Sequence, residues 1–170
     1  MFVLLRQLAT LRRDASLDRG RPRSLAIRHV DAGSCNGCEH ELGAVSNPFY
    51  DLPRFGLDIV ASPRHADILL VTGPVTTRMA VALRTAYDAM PEPRLVAALG
   101  DCALGCNVLG ERTEYLGSLE AILPVDIRIP GCPPTPARIA EHLLAGLAAA
   151  AEAHRPHREV EAEDDVLVVE

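Results

Sequence analysis

Residues 66–100 read ADILLVTGPVTTRMAVALRTAYDAMPEPRLVAALG, and the fold turns on how this stretch is divided. ADILLVTG (66–73) is a nearly continuous apolar run of strand length, the pattern of a strand covered on both faces. TTRMAVALRTAYDAM (76–90) has a threonine cap candidate, an apolar stripe at helical spacing and a stop at Pro91. RLVAALG (94–100) is a second strand. Strand, helix and strand in this order make a crossover unit, which pairs its strands in parallel.

The same alternation continues outward. LAIRHV (25–30), LDIVAS (57–62) and VDIRIPG (125–131) read as strands. HELGAVSNPFYDLPRF (40–55) starts helical and is broken by Pro48 and Pro53, and EYLGSLEAIL (114–123) reads as a helix. TPARIAEHLLAGLAAAAEAH (135–154) is the strongest helix: Thr135 can cap it, Pro136 suits its first turn and Pro156 ends it. Leu143, Leu144 and Leu147 on it read as core, and His142, His154 and His157 as surface. The pattern predicts an α/β fold, a flavodoxin-like open parallel sheet with helices on both faces. The chain then divides into a basic arm (1–23) with an amphipathic helix on Leu4, Leu8 and Leu11, an α/β domain (24–154) and an acidic tail (155–170).

With 170 residues and 48% hydrophobic content, the chain is long enough for one domain with a real core. All 17 basic residues are arginine, which assigns no function. The net charge of -6 is uneven. The first 23 residues carry six arginines against Asp14 and Asp18, a balance that suits an acidic partner, a membrane surface or a solvated terminus. LLAGLAAAA (143–151) is the most apolar run and is far short of the ~20 residues of a membrane span. Arg12-Arg13 is followed by polar DASLDRGRPR, not by an apolar signal region, so the expectation is no signal peptide and an intracellular chain. Structural disulfides are rare in that setting, and five cysteines there lean toward metal or redox chemistry. No phosphate loop, dinucleotide fingerprint or nucleic-acid-reading pattern is present.

The cysteines follow the strands. Cys35 and Cys38 come after strand 25–30, Cys102 after strand 94–100 and Cys132 after strand 125–131. In an open parallel sheet ligands bind outside the carboxyl ends of the strands. Three separate pieces of sequence therefore deliver thiols to one edge. Four thiolates suit an iron–sulfur cluster or zinc, and buried inert cysteines are the plain alternative. Cys132-Pro133 and the scattered spacing lean toward iron–sulfur, because structural zinc sites more often use compact knuckles.

SCNGCEHE (34–41), RFGLDIVASPRHADILLVTGPVT (54–76), GDCALGC (100–106) and VDIRIPGCPPTPARI (125–139) together resemble the small subunit of membrane-bound, energy-conserving [NiFe] hydrogenases of the formate hydrogenlyase type. That superfamily includes the B-type, 20 kDa subunit of respiratory complex I. The resemblance implies one [4Fe–4S] cluster on Cys35, Cys38, Cys102 and Cys132, proximal to a nickel–iron centre held only by a partner large subunit. It further implies a ferredoxin-like subunit carrying several clusters, membrane-arm subunits and a peripheral place on the cytoplasmic side of the membrane. The chain would belong to an oxidoreductase without being catalytic alone. C-x2-C favours the hydrogenase branch, because the complex I branch typically has adjacent cysteines there.

Cys106 departs from the pattern, since family members usually carry glycine at this point. It reads as a spare thiol or as an alternative ligand. Glu41 matches the acid of C-x-G-C-x-x-E and reads as a proton relay or as an acid favoured by the helix dipole. Glu39 reads as a surface residue. Arg64 and His65 match the family and suit a large-subunit contact, a charge raising the cluster potential, or a solvated pair. Gly73-Pro74 reads as shaping the cluster loop. Two other functions compete: a nickel-free complex I-like subunit passing electrons to quinone or another acceptor, and a zinc-bound structural module.

Overall fold

The structure, a computed structural model, describes residues 24–153 apart from Asn107 and Glu111. The expected basic arm, the acidic tail, Pro156, His154 and His157 lie outside the described residues. Five strands form one parallel sheet: β1 (Leu25–Asp31), β2 (Leu57–Ile59), β3 (Ile68–Thr72), β4 (Leu95–Leu99) and β5 (Ile127–Ile129). Their order is β2-β1-β3-β4-β5, the doubly wound, flavodoxin-like arrangement. Register follows from the apolar runs, with Ile68 of β3 opposite Ile27 of β1 and Leu95 of β4.

All five residues of β3 are buried, as a strand covered on both faces requires. One face packs Ile27, Leu70, Leu99 and Ile129 against α1 (Gly37–Ala44) and α3 (Pro136–Ala153) through Leu42, Ile139 and Leu143. The other face packs Leu69, Val71 and Ala98 with Leu83 of α2 (Thr77–Asp88) and with Leu119. Helices thus cover both faces. Thr76 caps α2 by accepting from Met79 N, and Thr135 accepts from Arg138 N at the start of α3. Leu143 is fully buried and Leu144 and Leu147 pack beside it, as their spacing predicts, while His142 is partly exposed.

The expected helix over 114–123 does not form. Only a single 3-10 turn, Leu119–Ala121, appears there. Leu116 N donates to Val75 O at 2.8 Å, and Tyr115 bridges Thr76. That backbone is committed to pairing with the segment after β3, and Gly117 at φ 94 takes a turn a helix cannot hold. Strands β2 and β5 are also shorter than their apolar runs.

Candidate metal centre

The three cysteine loops leave the same edge of the sheet and are tied to one another. After β1 the Asp31 carboxylate accepts from Gly33 N at 2.8 Å and from Ser34 N at 2.7 Å. Ser34 Oγ accepts from Asn36 N at 3.1 Å, and Asn36 turns left-handed at φ 68 into α1. Cys35 and Cys38 therefore flank the entry to that helix. The loop is held to its neighbour by Ala32 N donating to Thr72 O at 2.9 Å and Thr76 N donating to Ala32 O at 3.0 Å.

The other two loops are stapled by Asp101. Its backbone N–H donates to Gly131 O at 2.9 Å, and its Oδ1 accepts from Gly131 N at 2.7 Å. Gly100 N reaches Ile129 O at 2.8 Å, so Cys102 and Cys132 leave adjacent strands in fixed relation. Removing the Asp101 carboxylate leaves a partly buried N–H without its acceptor. Asp101→Ala is expected to cost the full chain about 1–3 kcal/mol, read as a lower urea midpoint at unchanged slope.

All five cysteines are free; Cys38 and Cys102 are half-buried, and Cys35, Cys106 and Cys132 are exposed. A Cβ built on Gly37 would stand 3.5 Å from Cys35 Sγ and 3.9 Å from Pro133, which brings the first and third loops together. A Cβ on Gly100 would stand 2.6 Å from Cys38 Sγ and 3.5 Å from Gly131 O, which brings in the second. Burial, followed by Glu39, Cys102, Cys35 and Cys132, pushes the Cys38 thiol up to about 12. Burial, then Cys132, Cys35 and Asp101, raises Cys102 as well, opposed by a backbone hydrogen bond at Leu109. Cys106 is not among the thiols acting on either; its backbone N–H is held by Asp101 O at 2.9 Å. Four thiols thus share one field. Among the described residues no three His, Cys, Asp or Glu side chains stand close enough together to hold a metal ion as they are placed.

Glu39 is not the surface residue its sequence position suggests. Its side chain is 21% exposed, one oxygen accepts from the Thr72 hydroxyl, and the other is buried without a partner. Thr72 Oγ1 also lies 2.9 Å from His29 Nε2. Sequence reading missed Thr72 and His29. The available signal was a hydroxyl ending the otherwise apolar strand ILLVT. Asp31 and Asp101 were missed too, although each stands between a strand and a cysteine.

Burial holds His29 below its ordinary value of 6.5, opposed by Glu39 and Asp31 and aided by Arg28. The unfolded chain then binds more protons than the folded one as pH falls below about 6.5, so stability is full above that value and is lost below it. The urea midpoint of the full chain is expected to drop between about pH 7.5 and about pH 5.5, and to drop less in His29→Phe.

Glu41 lies in the second turn of α1, partly exposed and without a side-chain hydrogen bond or ion pair among the described residues. Arg64 and His65 are exposed in a 3-10 turn before β3, at the amino edge of the sheet. A five-residue strand of about 16 Å separates them from the cysteine loops, too far for Arg64 to set the centre's charge. Gly73 and Pro74 are buried directly after β3, and Pro74 lines a small hollow with Cys102, Leu109 and Tyr115. No described helix is long and apolar enough to cross a membrane.

Residues 35–146 match the family described as NADH ubiquinone oxidoreductase, 20 Kd subunit. The chain is 46% identical over 125 residues to the probable membrane-bound hydrogenase subunit mbhJ of Pyrococcus furiosus, covering 74% of this chain and 75% of that one. It is 44% identical over 123 residues to formate hydrogenlyase subunit 7 of Escherichia coli, covering 72% of this chain and 48% of that longer one. Among solved structures, a chain of the membrane-bound sulfane sulfur reductase, an archaeal respiratory membrane complex, superposes with a TM-score of 0.60 at 30% identity, covering 81% of this chain and 73% of that one. A chain of an NAD+-reducing [NiFe]-hydrogenase gives 0.55 at 21% identity, covering 79% and 97%, and shares the fold.

Proposed function

The chain belongs to the NADH ubiquinone oxidoreductase 20 kDa subunit family, and from that premise we propose that it is the electron-transfer subunit of a membrane-bound hydrogenase complex, carrying one [4Fe–4S] cluster on Cys35, Cys38, Cys102 and Cys132. The observation that carries this reading is the meeting of those four thiols, from three loops, at the carboxyl edge of one parallel sheet. The donor set fits. Thiolates are the ligands such clusters take, and Gly37 and Gly100 leave the space beside the sulfurs that a Cβ would fill. The scattered spacing of the four cysteines over three loops favours a cluster over one structural zinc ion, whose ligands more often sit in compact knuckles. When bound, such a cluster takes up and gives up one electron at a time.

This chain's own part is to hold and orient. The tied loops fix the thiols, and the raised Cys38 and Cys102 thiols must lose their protons on metal binding. Electrons would pass between a ferredoxin-like subunit and the nickel–iron centre of a large subunit, on the cytoplasmic side of a membrane arm. Glu41 is the candidate for moving a proton at the large-subunit face.

A second reading keeps the cluster and removes the nickel: a complex I-like oxidoreductase passing electrons to quinone or another acceptor. The 30% identical chain of the sulfane sulfur reductase supports it. One preparation separates the readings. The complex is purified without oxygen and assayed for iron, sulfide, nickel and the EPR spectrum after reduction. About four irons that are lost from the complex in Cys35→Ser, together with one fast-relaxing S = 1/2 signal, support electron transfer, and nickel with hydrogen turnover selects the hydrogenase. Iron without nickel selects the second reading. Zinc that is lost in Cys35→Ser while the iron is unchanged overturns both.

A further inference from the structure

Thr72 is the one fully buried polar side chain among the described residues, and it stands at the carboxyl end of the central strand. Its hydroxyl has a single proton, which it gives to Glu39 Oε1. It therefore accepts from His29, whose Nε2 is 2.9 Å away and must carry the ring proton. His29 Nε2 is also 3.7 Å from Glu39 Oε1. Groups from β1 and β3 thus converge on one carboxylate of α1, next in sequence to Cys38. An acid in the first turn of a helix is already favoured by the helix dipole. The dipole does not fix the direction of the side chain. The buried hydroxyl does, and it keeps the charge on the inner side of the helix. Glu39 directly follows Cys38 at the start of α1, so a side chain fixed there stays beside the thiol loop.

We infer that Thr72, backed by His29, is a positioning residue that holds the Glu39 carboxylate against the metal centre, where its negative charge lowers the reduction potential of the group held by the four thiols. The inference rests on the function proposed above. A fixed negative charge opposes the arrival of an electron. It does so more strongly where water is partly excluded, because the effective dielectric there is about 20 and not 80. A carboxylate released into solvent loses most of that effect to screening. A purely structural role for Thr72 would change stability and leave the potential alone.

The test is an EPR-monitored redox titration of the intact purified complex. It compares the wild type with Thr72→Val, Thr72→Ser, Glu39→Gln and the Thr72→Val/Glu39→Gln double variant. Thr72→Val and Glu39→Gln are each expected to favour the reduced state by about tenfold, which is 59 mV for one electron. Thr72→Ser restores the hydroxyl and is expected to match the wild type. The double variant is expected to shift no further than Glu39→Gln, since the two changes remove one effect. Full iron content with unmoved potentials in both single variants overturns the inference and leaves the proposed function standing. Should Thr72→Val fail to load iron, Glu39→Gln decides alone, because it keeps the side chain's size and its acceptor for Thr72. A wild-type complex whose iron is unchanged by Cys35→Ser removes the proposed function and this inference with it.

Discussion

Serine in place of Cys35, Cys38, Cys102 or Cys132 is expected to lower the iron of the purified complex by about four atoms and to remove one of its reduced EPR signals, whereas Cys106→Ser leaves both in place. An alcohol does not ionise near neutral pH as a thiol bound to metal does, so each change removes a ligand outright. The loss should exceed the roughly 10–100-fold that removing an outer partner of a metal site costs. The five cysteines differ because of where the loops lie. Burial and then Glu39, Cys102, Cys35 and Cys132 raise Cys38, and burial and then Cys132, Cys35 and Asp101 raise Cys102, a field to which Cys106 does not contribute. Cys106 follows the turn closed by Gly105 N donating to Cys102 O at 3.1 Å, and the residue is exposed. Iron retained in Cys132→Ser but lost in Cys106→Ser would show that the fourth ligand is Cys106.

Gly100→Ala is expected to be nearly as damaging, although it removes no ligand. Gly100 has φ 90, a conformation that costs a side-chain-bearing residue of order 1–3 kcal/mol. The added methyl would lie 2.6 Å from Cys38 Sγ, inside the sulfur's contact radius. Overpacking of this kind costs about 1–3 kcal/mol more, and Cys38 cannot yield without leaving the site. The expected result is a chain that folds with a lower urea midpoint and a complex short of about four irons. Full iron content at wild-type stability would mean that the loop after β4 can move aside, contrary to the ties at Gly100 and Asp101.

The sheet could be read from the sequence because its signals are local. ILLVT is apolar on both faces, and β3 is buried along its whole length. Thr76 and Pro91 mark the limits of α2, which spans Thr77–Asp88. The meeting of the cysteines could be read because strand topology carries a local residue to a distant one. The segment 114–123 failed for the converse reason: its helical spacing is real, but its backbone hydrogen bonds go to Val75, a partner remote in sequence. Glu39 failed in the same way. An acid between Cys38 and His40 looks solvated until Thr72 and His29, from two other strands, close over it. Pairwise contacts of that kind leave no periodicity to read.

The edge strand β5 pairs with β4 alone, over three residues, while β1, β3 and β4 each have neighbours on both sides. Local opening begins at such margins. Of the four thiols, Cys132 alone follows an edge strand. The Asp101 hydrogen bonds to Gly131 therefore hold the one thiol loop that the sheet margin leaves least supported. Weakening those bonds should loosen Cys132 before it loosens the core of the sheet.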